Sequence, residues 1–130
     1  PFSEGVEKNG CLCGALAGAL LAVGLFLGSP NPVGRRKSVQ VASGILMKRF
    51  KLRFGAACCR ILSKKDQGNS VPVFDRCAQR TDEAAVMAAS IILKHRPELS
   101  LDADFDYLNV RDSVVSGFLK NTLRRTGCRI

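Results

Sequence analysis

A chain of 130 residues is the size of a single domain, and 46% hydrophobic content is enough for a core, which excludes a disordered protein. With no Trp and one Tyr, the chain is short of aromatic platforms for stacking nucleic-acid bases. Its net charge of +9 comes from one block, since residues 29–65 hold ten basic side chains and no acidic one.

Residues 11–28 (CLCGALAGALLAVGLFLG) contain no charged side chain. They predict a first helix opening near Asn9 or Gly10, with Asn9 as N-cap, and ending at Gly28 before the Ser29-Pro-Asn-Pro break. An apolar run of this length also raises a membrane span, with Arg35, Arg36 and Lys37 as its positive flank. No Trp or Tyr anchors either end, however, and the following amphipathic segments need an apolar surface to cover. The favoured reading is a central core helix buried on all sides. Gly14, Gly18, Gly24 and Gly28 predict close backbone approach by a neighbour, and the Gly10, Gly14, Gly18 spacing predicts a groove for another helix.

A second helix is predicted from Arg35 to Phe54. Ala42, Leu46, Phe50 and Phe54 recur every fourth residue, with Val39 and Ile45 beside them and Lys48, Arg49, Lys51 and Arg53 on the other side. Gly55 suits its C-terminal cap. Residues 56–62 predict a short helical turn, and 63–73, with Gly68, Asn69 and Pro72, an exposed loop. A third helix follows Cys77, with Thr81 as N-cap and Asp82 and Glu83 at its positive end. Ala84, Ala85, Ala88, Ala89, Ile92 and Leu93 form its apolar face, His95 and Arg96 suit its C-terminal end, and Pro97 stops it. A last helix, from about Val110 to Thr126, carries Val114, Val115, Phe118, Leu119 and Leu123 and ends at Gly127. No segment alternates like a strand. The fold class is therefore all-α, a compact bundle of about four to five helices around the Gly/Ala/Leu-rich first helix.

Six cysteines, at 11, 13, 58, 59, 77 and 128, are too sparse for a stapled secreted scaffold. Their spacing suits a reducing compartment, where thiols act as ligands or nucleophiles. Lys8 alone offsets Glu4 and Glu7 ahead of the apolar run, so the basic stretch of a secretory signal is missing and a cytoplasmic location is expected.

In order along the chain, the blocks Cys13-Gly14-Ala15-Leu16-Ala17-Gly18-Ala19, Val23-Gly24-Leu25-Phe26-Leu27-Gly28, Arg53-Phe54-Gly55, Cys59-Arg60-Ile61-Leu62 and Cys77 ahead of Thr81-Asp82-Glu83-Ala84-Ala85 are similar to a known set. They resemble the redox-active family named for the cysteine signature C…GCAxxG…C…C, which also occurs as a domain of split-Soret cytochromes. The resemblance covers roughly residues 1–94. It implies a helical redox domain over residues 1–96, with a helical extension over 97–130 packed on the same domain. The family's usual first helix and first Cys have no counterpart in the sequence, and the resemblance leaves room for Cys128, or a helix from a second subunit, in that place.

The resemblance marks Cys13, Cys59 and Cys77 as the redox residues, and as the metal ligands should a metal be held. Cys11, Cys58, Gly14, Gly18 and Arg60 stand around them as cofactor-binding candidates. The chemistry needs thiolates, since these are both nucleophile and soft ligand. A helix N-terminus at Cys13 and the charges of Arg60, Lys64 and Lys65 near Cys59 favour them. Three thiolates suit an iron–sulfur cluster or another soft metal, with Cys11, Cys58, Cys128 or a non-protein ligand as the fourth. Two thiols alone suit a dithiol/disulfide couple without a cofactor. His95, the only histidine, reads as charge complementation at a helix end. Asp102, Asp104 and Asp106 lack the Gly and Glu of a calcium loop.

The leading function is thus a small cysteine-based redox or electron-transfer protein with a redox partner protein, which the basic block would steer if acidic. A homodimer is a further expectation. The alternatives are a non-enzymatic binding module using the basic helix 35–53 for nucleic acid or an acidic protein, and a small membrane protein anchored by residues 11–28. Nucleic acid and membrane are the less favoured partners.

Overall fold

The structure is a computed structural model that describes residues 4–6, 8–29, 36–68 and 70–101. Among the described residues four helices follow one another: α1 (Gly14–Leu27), α2 (Arg36–Phe54), α3 (Cys59–Lys65) and α4 (Val73–His95), then a 3-10 turn at Pro97–Ser100. The fold is an all-α bundle, and no strand runs among the described residues. The chain divides into two compact units, residues 1–98 and 99–130, and the four helices belong to the first. The expected helix over 110–126, the Asp102, Asp104 and Asp106 segment and Cys128 lie outside the described residues.

Helix α1 packs on α4 and α2, which also touch each other. Among the described residues, Leu16 and Val23 of α1, Leu46 and Phe50 of α2, and Leu62 of α3 are the largest fully buried side chains. Burial of each contributes roughly 1.5–3 kcal/mol. Ala84, Ala88, Ile91 and Ile92 of α4 complete the core. The small alanines allow α4 to lie close to α1.

Four expectations need correction. First, α1 is not buried on all sides. Its core face holds Leu16, Ala17, Ala19, Val23 and Leu27, while Leu21 and Leu25 are 62% and 79% exposed. Neighbours cover one face of the helix, and Gly18 and Gly24 are not there to admit another backbone. A Cβ built at Gly18 or Gly24 would meet nothing within 4 Å.

Second, α1 starts later than expected, and Asn9 is not its N-cap. Gly10 has φ +66° and turns the chain, and Leu12 pairs antiparallel with Cys58 before Cys13 caps the helix. At 14 residues α1 spans about 21 Å, short of the ~30 Å hydrocarbon core. No helix among the described residues is long and apolar enough to cross a membrane, which removes α1 as the expected anchor.

Third, α4 begins at Val73 rather than after Cys77. Pro72, which lacks an N–H, stands at its N-cap, and Asp75 supplies the acidic first turn. Thr81 lies inside the helix and donates its hydroxyl back to the Cys77 carbonyl at 2.9 Å. The buried face consequently runs through Ala84, Ala88, Ile91 and Ile92, leaving Ala85, Ala89 and Leu93 outside it.

Fourth, the turn expected over 56–62 is the helix α3, and the loop after it is shorter than 63–73. Helix α2, in contrast, matches its expected span to one residue. It ends where Gly55, at φ +78°, donates its N–H to the Lys51 carbonyl at 2.7 Å. Its basic side is partly engaged, because Arg53 grips Glu83 of α4 through two nitrogens and Arg49 donates to Ser90 at 3.2 Å.

Candidate thiol site

The site begins with backbone pairing between two cysteine segments. The Cys13 N–H donates to the Ala57 carbonyl at 2.8 Å, the Cys59 N–H to the Cys11 carbonyl at 2.6 Å, and the Arg60 N–H to the Gly10 carbonyl at 3.0 Å. Neither Cys13 nor Cys58 caps its helix with a side-chain hydrogen bond. The exchange between the segments therefore satisfies N–H groups at the starts of α1 and α3 and holds the two starts side by side.

The N-terminal turn lies against this pairing. Glu4, Gly5, Lys8 and Gly10 all have positive φ, and the Gly10 N–H returns to the Glu4 carbonyl at 3.2 Å. Gly5 is required by space as well as by φ. A Cβ there would sit 2.7 Å from the Cys59 Cβ and 3.0 Å from the Cys11 nitrogen. Arg60 fastens the same turn by donating its guanidinium to the Asn9 carbonyl at 3.1 Å.

Cys13 is buried, Cys59 is half-buried and Cys77 is exposed; all five described cysteines are free. Cys59 responds electrostatically to the other two. Burial first pushes the Cys59 thiol up from its ordinary value, a weak contact with the Ser63 hydroxyl at 4.0 Å opposes it, and negative charge on Cys13 and Cys77 pushes it further up. Arg80 acts in the opposite sense. The expectation that nearby cations make Cys59 a ready thiolate is thus corrected, because burial and like charge outweigh them.

The cation itself was also missed. Arg60 is occupied with Asn9, and Lys65 reaches the Gly55 carbonyl at 3.4 Å, behind the end of α2. The guanidinium felt at Cys59 is that of Arg80, one turn beyond Cys77 on α4. Its Nη2 donates to Asp66 Oδ1 at 2.9 Å and Oδ2 at 2.7 Å. Asp66, the C-cap of α3, also takes Arg76 Nε at 3.3 Å, so one carboxylate ties α3 to two positions of α4. Burial lowers the Arg80 pKa, but the bond and charge of Asp66 and the thiolate charges of Cys77 and Cys13 outweigh this and raise it. The only hint in the sequence was the Cys77-x-x-Arg80 spacing, which places the two on one helix face.

The other candidates have different surroundings. The exposed Cys11 contributes its carbonyl to the pairing, and the Cys58 thiol donates to the Gly10 carbonyl at 2.9 Å. Gly14 is the first residue of α1, and Gly18 lies on its exposed face. His95 sits at the other end of the bundle, its Nδ1 2.9 Å from the Ile91 carbonyl oxygen. It lines a cavity of about 570 Å³ with Ser29, Ser38 and Arg96. Among the described residues, no group of three or more His, Cys, Asp or Glu side chains is arranged to hold a metal ion. Cys13, Cys59 and Cys77 are electrostatic neighbours without converging on a point.

The family described as Putative redox-active protein (C_GCAxxG_C_C) matches residues 1–91. The match takes in Cys11, Cys13, Cys58, Cys59 and Cys77 and most of α4. No curated protein and no solved structure matches the chain.

Proposed function

The chain belongs to this redox-active family, and on that footing we propose that Cys13, Cys59 and Cys77 form a thiol centre in which two of the three cycle between dithiol and disulfide against a disulfide of a partner protein. One observation carries the reading: charge on Cys13 or on Cys77 is felt at Cys59. Thiols from α1, α3 and α4 therefore lie within electrostatic reach of one another at Cys59.

Exposure assigns the order. Cys77 meets the partner first. Its thiolate attacks one sulfur of the partner disulfide, and the other sulfur leaves as a thiolate that takes up a proton. A second thiolate of the centre then attacks the Cys77 sulfur of the mixed disulfide, and the partner departs as a dithiol. Two electrons and two protons have passed from the centre to the partner. The electrostatics help to order these steps. Burial and charge on Cys13 and Cys77 raise the Cys59 pKa, and the Cys77 contribution is removed once Cys77 is bonded to the partner. The basic block over residues 29–65 suits an acidic partner, and a reducing compartment such as the cytoplasm would keep the thiols available.

Three thiolates are also soft donors of the kind that hold iron–sulfur clusters, but such a cluster asks for a fourth ligand and for convergence on one point. The reading therefore rests on the thiols alone. Its test is to purify the protein without oxygen, oxidise it with a small disulfide and map the product by mass spectrometry. A disulfide between two of Cys13, Cys59 and Cys77 is expected, and Cys59→Ser should abolish or redirect it. Iron in the anaerobic protein that is lost in Cys13→Ser would overturn the dithiol reading in favour of a metal centre.

A further inference from the structure

We infer that the outer face of α2 is a docking surface for an anionic lipid bilayer, on which the protein lies without crossing it. Lys37, Val41, Ile45, Lys48 and Leu52 follow one another at steps of three or four residues, so they form one stripe along the helix. At 1.5 Å per residue the stripe is about 22 Å long. It lies on the side away from the buried Ala42, Leu46 and Phe50. Val41 is 59% exposed, Ile45 38% and Leu52 77%. Lys37 and Lys48 are exposed as well, and the exposed Gly44 and Lys51 border the stripe along one edge.

Neither helix propensity nor solubility accounts for these side chains. Val and Ile are poorer helix formers than Lys, Gln or Glu, and an ordinary solvated helix face mixes acid with base. Residues 29–65 hold no acid at all. The arginines of α2 are spent within the fold, Arg49 on Ser90 and Arg53 on Glu83. Among the described residues, no hydrogen bond or ion pair engages Lys37, Lys48 or Lys51. Charge and shape together select the partner. The stripe is the convex outside of one helix, and a fluid lipid surface moulds to that shape without a matching groove. Val41, Ile45 and Leu52 would sink among the lipid chains while the lysine stems reach back to the headgroups. A nucleic acid would use the lysines and leave the three apolar side chains in water. Contact is with the surface of the bilayer, because no helix among the described residues is long and apolar enough to cross it. Lys64 and Lys65, in the last turn of α3, lie outside the stripe and remain for the acidic redox partner.

The test is cosedimentation of the full chain, kept reduced, with lipid vesicles. Vesicles of phosphatidylglycerol and phosphatidylcholine in equal parts should carry the protein down, and vesicles of phosphatidylcholine alone should not. Lys48→Gln should weaken binding about fivefold, the worth of one lysine at an anionic surface. Leu52→Ser should weaken it roughly tenfold through lost apolar contact. Val86→Ser, at a 69% exposed position of α4, should leave it unchanged. Far-UV circular dichroism establishes that the variants are folded. The chain has no Trp, so Val41→Trp supplies a single reporter within the stripe, and its emission should move to shorter wavelength on the anionic vesicles. Failure to sediment, equal binding to the neutral vesicles, an unchanged Lys48→Gln, or an equal loss in Val86→Ser overturns the proposal. So does sedimentation with unshifted Val41→Trp emission or with folded Leu52→Ser unaffected, since either result leaves a purely charged surface suited to an acidic protein or a nucleic acid. If Leu52→Ser fails to fold, the Val41→Trp reporter decides alone: a shift specific to anionic vesicles supports the assignment, and any other result overturns it.

Discussion

Two arginines, Arg80 on α4 and Arg96 at its C-cap, are held in place for different reasons. At the C-terminal end of α1, Arg96 donates to the Phe26 carbonyl at 3.2 Å and to Glu98 at 2.8 Å. A cation there meets the negative end of the helix dipole, an ordinary stabilisation of about 0.3–1 kcal/mol. Toward the Cys13 end, Arg80 is bonded instead to the Asp66 carboxylate at the end of α3, and its charge acts on Cys59. The surroundings differ too. The Cys13 end is tied by backbone pairing and positive-φ residues, whereas the Gly28 end opens into a polar cavity of about 570 Å³. Side-chain charges are most constrained where the backbone is most constrained, and that end carries the cysteines.

The largest expected effect removes what both ends share. Phe50 is 0% exposed and its ring lies 4.7 Å from that of Phe54. Phe50→Ala should destabilise the domain by about 3–5 kcal/mol, through lost burial and the cavity left behind. Urea unfolding followed by circular dichroism and by thiol accessibility should then give coincident, lowered midpoints. A thiol end that outlasts the helical signal would separate the two ends into independently stable parts.

A smaller change should strike one end only. Gly5→Ala places a Cβ at a residue with φ +75°, 2.7 Å from the Cys59 Cβ. Left-handed backbone costs a non-glycine residue roughly 1–2 kcal/mol before the contact is counted. The N-terminal turn should loosen and Cys59 should alkylate several-fold faster. The His95 ring, at the opposite end, should keep its NMR shifts; movement of those shifts would show the ends to be mechanically linked.

How much of this was legible in the sequence follows the reach of each interaction. Helix α2 could be read to within one residue because Ala42, Leu46, Phe50 and Gly55 mark it locally. The start of α1 could not, since residues 11–13 are diverted into pairing with 57–59, a contact that no local pattern encodes. Thr81-Asp82-Glu83 resembles a helix start, but the Thr81 hydroxyl bonds within a helix already begun at Val73. In the site, cysteines leave a visible mark while ordinary charged residues do not. Arg60 and Lys65 neighbour Cys59 in sequence yet point to Asn9 and Gly55. Arg80 and Asp66 lie on different elements and meet only in the folded chain.

The smallest expected effect concerns pH, and it too belongs to one end. Burial, then charge on Cys13 and Cys77, raises the Cys59 pKa in the folded chain. The folded state therefore holds that proton more tightly than the unfolded chain, whose thiol titrates near ~8.5. The contribution to stability is complete below that value and is lost as pH rises through the higher, folded one. In the presence of reductant, the urea midpoint should change little between about pH 6.5 and 8 and fall above roughly pH 8.5. Cys59→Ala should make the fall shallower, and the difference in slope, not in absolute stability, isolates the thiol from the packing lost with its sulfur. The change should be modest because Cys59 is only half-buried and water screens part of the interaction. An equally steep fall in Cys59→Ala would assign the alkaline loss to groups elsewhere and remove the thiol end's distinct response to pH.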